Sequence, residues 1–132
     1  GFTGTRKGMT TKQHNAVIRY MEIATELHHG DCVGADAEAC LMAKVLGLRL
    51  ACHPPLNDKL RAFTRVNDEV WPAAAYAIRN LNIVLYCDFL IATPATMEEG
   101  AGGTWATIRM AREKKKDYVI VYPDGSVQEF VK

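Results

Sequence analysis

The sequence predicts an α/β fold of three layers, with a mostly parallel sheet of about five strands between helices. Apolar, β-type runs alternate with stretches at helical spacing, and that alternation implies parallel strands covered on both faces. Three junctions are glycine-bearing turns ahead of a helical pattern: Gly4-Thr5-Arg6-Lys7-Gly8, Gly30-Asp31-Cys32-Val33-Gly34-Ala35-Asp36 and Gly100-Ala101-Gly102-Gly103-Thr104. A chain of 132 residues is one domain, residues 1–132, and buries roughly two thirds of its unfolded surface, enough for one core.

Taken in order, Phe2-Thr3 ends a first strand, and the abrupt start leads us to expect further apolar residues upstream of Gly1. Thr10 with Gln13 three residues on is a capping box that starts a helix near Thr11. Val17, Tyr20, Met21, Ala24 and Leu27 extend its apolar stripe. Leu27-His28-His29 is a short second strand. Ala35 to Leu46 is a helix closed by Gly47. Leu48 to Cys52 is a strand stopped by Pro54-Pro55.

The polar stretch from Asn57 to Val70 reads as loop or loose helix. Ala73 to Leu85 is helical, with the pair Arg79-Asn80 placed toward the helix end that leads to the next strand. Asp88 to Thr93 is a buried strand, Ala95 to Gly103 a loop, and Thr104 to Lys115 a helix. Tyr118 to Tyr122 is a strand, Pro123-Asp124-Gly125 a turn, and Ser126 to Val131 an edge strand.

Composition narrows the function. Charged residues make up 23% and the formal net charge is +1, so no global field favours nucleic acid or a membrane surface. There is no apolar run long enough to cross a bilayer and no signal-peptide pattern, and a soluble, cytoplasmic protein is expected. Cys32, Cys40, Cys52 and Cys87 form no C-x-x-C pair and read as reduced, small apolar residues.

The glycine turns carry the chemistry. A helix N-terminus after a strand offers converging N–H groups and partial positive charge to an anion. All three turns would lie at the carboxyl edge of the sheet, where such folds bind ligands. Gly4 allows the turn, Thr5 supplies a hydroxyl, and Arg6 a fork for phosphate. Gly30 and Gly34 permit close backbone approach. Asp31 lies in the same turn, and Asp36 either caps its own helix or meets a ribose hydroxyl. Gly102 and Gly103 lead to Thr104, which can cap and touch phosphate.

Each helix terminus contributes on the order of 0.3–2 kcal/mol, and micromolar binding needs about 8 kcal/mol, so a base or sugar pocket must supply the rest. Trp105, Phe63, His53 and Pro54 are its candidate walls. Arg79 either caps helix carbonyls or points at the ligand. Glu98 and Glu99 precede Gly100 and are the candidate catalytic carboxylates. His28, His29, Asp31 and Cys32, joined by His53 and Asp88, are metal-ligand types. Neighbouring His28 and His29 on a strand point to opposite faces, and no metal or resident cofactor is expected.

With these residues assembled, nearly the whole chain resembles the SLOG superfamily of Rossmann-like nucleotide-binding proteins. Gly4-Thr5-Arg6 is similar to its G-S/T-R turn. His29 to Asp36 is similar to the G-x-x-x-G-x-D segment of the DprA-like and YAcAr-like branches. Arg79-Asn80 matches their R-N pair, and Gly103-Thr104 matches the G-T/S that opens the last phosphate-facing helix.

The resemblance implies a Rossmann-like fold binding a nucleotide or nucleotide-derived signal, a sensor or sponge in bacterial or phage biology. The phosphoribohydrolases of the superfamily carry P-G-G-x-G-T-x-x-E with a catalytic glutamate. Here Thr107 stands three after Thr104, so Glu98 or Glu99 would have to serve through another geometry. Hydrolysis of a nucleotide N-glycosidic bond is therefore the alternative expectation. Single-stranded DNA binding, known in the DprA branch, is poorly supported by the charge balance. A homo-oligomer is also expected, through a helix face that the sequence leaves unspecified.

Overall fold

The computed structural model describes residues 1–132. Four helices and seven strands form three layers. Strands β1 (Phe2–Gly4), β5 (Phe89–Thr93), β6 (Asp117–Val121) and β7 (Val127–Phe130) make one sheet in the order β1-β5-β6-β7. Strands β2 (Glu26–His29), β3 (Arg49–Cys52) and β4 (Glu69–Val70) make a second. All pairs are parallel except β6–β7, and β1 and β2 neighbour each other where the two sheets adjoin. Strand order runs outward in both directions from this point, so the carboxyl ends of β1, β2 and β5 flank the switch in direction.

Helices α1 (Thr11–Met21) and α2 (Ala35–Val45) cover one face, and α3 (Tyr76–Tyr86) and α4 (Gly103–Glu113) the other. Alternation along the strands splits the core in two. Ile91, Val119 and Val121 join Phe2, Val17, Met21 and Ala39 under α1 and α2. Leu90, Ala92, Tyr118 and Ile120 join Ile83, Val84, Trp105 and Ile108 under α3 and α4. Trp105 is therefore a core residue, with its indole N–H donating to Thr96 at 3.1 Å.

The capping box is present: the Thr10 hydroxyl accepts from Gln13 N, and the Gln13 side chain accepts from Thr10 N. Helix α1 nevertheless ends at Met21. Leu27 reaches the same core from β2, which is why it continued the helical stripe without being helical. Gly47, at φ +79°, ends α2 as expected.

Two expectations are corrected. The stretch from Asn57 to Val70 holds a 3-10 turn at Asp58–Leu60 and the two-residue strand β4, too short to leave a pattern in sequence. Helix α3 begins at Tyr76 because Ala74 is held in an extended pairing with Pro54 and Leu56. Arg79 thus lies in the first turn of its helix, at the carboxyl edge of the sheets, and not at the helix end.

Candidate functional site

The loop after β1 is fastened to α2. Ala35 N donates to Thr5 O at 2.9 Å, and Met9 N donates to the Glu38 carboxylate at 2.6 Å. The Thr5 hydroxyl accepts from Lys7 N at 3.1 Å. Gly34 closes the contact: its φ is +88°, and a methyl group there would stand 2.5 Å from the carbonyl carbon of Arg6. Gly4 is packed as tightly, since a methyl there would lie 2.5 Å from the Ala35 side chain. Arg6 itself is exposed, and its guanidinium makes no hydrogen bond or ion pair within the chain.

The loop between β2 and α2 is a buried polar knot. The Asp36 carboxylate accepts from Gly30 N at 3.1 Å and Cys32 N at 3.3 Å. It therefore braces the turn, and the first residue before α2, Gly34, has no side-chain cap. Burial pushes the Asp36 carboxyl above its ordinary range, with His29 and Arg79 pulling the other way. Asp31, at φ +55°, is wholly buried. Its carboxylate accepts from Arg61 Nε at 2.9 Å and from the backbone N and hydroxyl of Thr64. Arg79 reaches in from α3, donating to Gly30 O at 2.5 Å, to His53 O at 3.4 Å and to Asn80 Oδ1 at 2.6 Å. Gly30, Asp31, Asp36, His53, Arg79 and Asn80 thus form one network joining β2, β3, α2 and α3. Arg79 does not cap its helix: its guanidinium, at the carboxyl edge, donates to the Gly30 and His53 carbonyls, to the Asn80 side chain and to the Cys32 sulfur.

His53 lies under this network. Its Nε2 is 2.8 Å from Nδ1 of His28, whose Nε2 is 3.3 Å from Glu26. The ring packs on Trp71, which meets Tyr86 edge-on. Burial first, then the cations around it, hold His53 down to about 3, and burial lowers His28 as well. Nδ1 of His53 and Nε1 of Trp71 are buried with no protein partner. Phe63 is half exposed beneath the Arg61 guanidinium, 4.5 Å from its ring centre.

The loop before α4 is open. Gly102, at φ +105°, and Gly103 are exposed, and no atom lies within 4 Å of a methyl placed on either. Gly102 precedes the helix without a side-chain cap, so Thr104 lies inside the first turn and does not cap it. The N–H groups of Gly103, Thr104 and Trp105 meet no acceptor in the chain. Glu99 is paired on the surface with Arg109 at 3.3 Å and Arg112 at 3.2 Å, and these partners hold its carboxyl below the ordinary range. Glu98 is exposed, and its backbone O accepts from the Thr96 hydroxyl.

One grouping has metal-ligand character: donor atoms of His29, Asp31 and Cys52 lie within 4.8 Å of one another, all buried. They are committed elsewhere. His29 faces Asn67 Oδ1 at 2.6 Å through Nε2 and accepts from Asp31 N through Nδ1, and the Asp31 carboxylate carries three hydrogen bonds. Burial pushes the Cys52 thiol up to about 12. All four cysteines are free.

No family model matches the sequence, and no similar curated protein or solved structure is found. The geometry is therefore what speaks to function. Sequence reasoning passed over Glu38, which ties the first loop to α2, and Thr64 and Asn67, which satisfy Asp31 and His29. Their partners lie 29 to 38 residues away, and no local spacing signals them. It also passed over Thr93, whose buried hydroxyl has no protein partner at the end of β5.

Proposed function

We propose that the chain binds a nucleotide or nucleotide-derived small molecule at the carboxyl edge of β1, β2 and β5, with its phosphate on the first turn of α4. The observation that carries this reading is the trio of unpartnered N–H groups at Gly103, Thr104 and Trp105. They open a helix whose preceding strand, β5, pairs with β1 at Thr93 and Gly4, and β1 leads into the loop that carries the exposed Arg6. Free N–H groups, a helix dipole and an exposed arginine on adjoining loops suit a phosphate. In this reading α2 and the buried network of Asp36 and Arg79 shape the loops, and α4 and Arg6 make the contact.

A thermal-shift panel of nucleoside mono-, di- and triphosphates, NAD, ADP-ribose and cyclic dinucleotides tests it. At least one should raise the melting temperature, and Arg6→Ala should reduce that shift. No shift across the panel overturns the reading. The hydrolase alternative gains nothing from the geometry, since Glu99 is tied to two arginines and Glu98 faces solvent.

A further inference from the structure

The solvent face of α3 has no charge. Arg79 is the one charged residue in Tyr76–Tyr86, and it is buried against the β2–α2 loop. Ile78 and Leu85, seven residues apart and so on one side of the helix, are 58% and 48% exposed, with Leu81 and Asn82 between them. Tyr86 flanks this stripe and packs edge-on against Trp71, next to the exposed Val70 of β4. From Val70 to Ile78 there is no charged residue. The other helices all expose charge: Lys12 and Arg19 on α1, Lys44 on α2, Arg109 and Arg112 on α4.

We propose that this face is an isologous interface on which a second copy of the chain docks. The charge pattern suits a second copy: close to a two-fold axis a residue meets its own counterpart, so a charge there would meet a like charge. A neutral apolar stripe escapes that cost. The arginines of neighbouring α4 are already paired with Glu99, so the rim is polar but compensated. A net charge of +1 gives two copies no long-range repulsion. The exposed apolar side chains on α3 and beside it amount to on the order of 500 Å². With the alanines and proline between them, that approaches the roughly 800 Å² per partner of a standard interface. This inference does not depend on the ligand reading.

Light scattering coupled to gel filtration at about 100 μM tests it, with circular dichroism to check folding. The wild-type mass should be twice the 14.6 kDa of the chain. Ile78→Asp and Leu85→Glu should each return it to 14.6 kDa, since both positions are exposed and tolerate polar side chains. Should one variant unfold, the other gives the same readout. Val45→Asp, at an 86% exposed apolar site on α2, should leave the dimer intact. A monomeric wild type, a dimer unmoved by both α3 variants, or a dimer lost equally with Val45→Asp overturns the proposal.

Discussion

At Gly34 conformation and space act together. The residue sits at φ +88°, where side chains are strained, and a methyl group there would run into the backbone of Arg6. Gly34→Ala should destabilise the fold by about 3 kcal/mol or more, measured by urea unfolding. Gly103→Ala, helical and with open space around it, should be neutral or stabilise by under about 1 kcal/mol. Equal costs would mean that the first two loops are not clamped together. His53 supplies a pH signature. Its folded value of about 3 lies below the ordinary 6.5, so below pH 6.5 the unfolded chain binds a proton that the folded chain refuses. Stability should therefore fall as pH drops from 6.5 towards 3, by up to about 1.4 kcal/mol per pH unit from this group. Asp36, raised by burial, acts in the opposite sense, so the comparison is with His53→Gln, which keeps Asp36 and should show a shallower slope below pH 6.5.

Elements were legible where their signals are local. Thr10 and Gln13 mark the start of α1 to the residue, and Gly47 marks the end of α2. Thr10→Ala removes a cap and the hydrogen bond to Pro123 O, and should cost about 1–2 kcal/mol in the same unfolding assay. Elements whose limits depend on distant partners were not legible. Ala74 is extended because Pro54 and Leu56 pair with it, which delays α3 and moves Arg79 from the helix end to its first turn. The segment around β4 is likewise held by Asp31 through Arg61 and Thr64, contacts about 30 residues apart. Asp31→Ala leaves those donors unpaired, and amide exchange over residues 61–68 should accelerate by tenfold or more while that of β6 changes less.

On the scale of the whole molecule, the alternation of strands and helices and the three glycine turns conveyed the three-layer α/β fold, though not its division into sheets of four and three strands. The turns also marked the carboxyl edge, but not how each residue serves there. Sequence shows that an aspartate or arginine is near a turn, whereas its hydrogen bonds decide whether it faces a ligand or, like Asp36 and Arg79, the backbone. An apolar cleft of about 450 Å³ lies at the opposite edge, between Tyr20, Ile23, Tyr86 and Phe89, so ligand placement is a sharp question. Amide NMR, titrated with the nucleotide that gives the largest thermal shift, answers it most directly. Nucleotide bound at the carboxyl edge should give the strongest perturbations at Thr5 to Gly8 and Gly102 to Trp105, with smaller ones at Gly30 to Ala35. Perturbations centred on Ile23 and Tyr86, or none at saturating nucleotide, would contradict that placement.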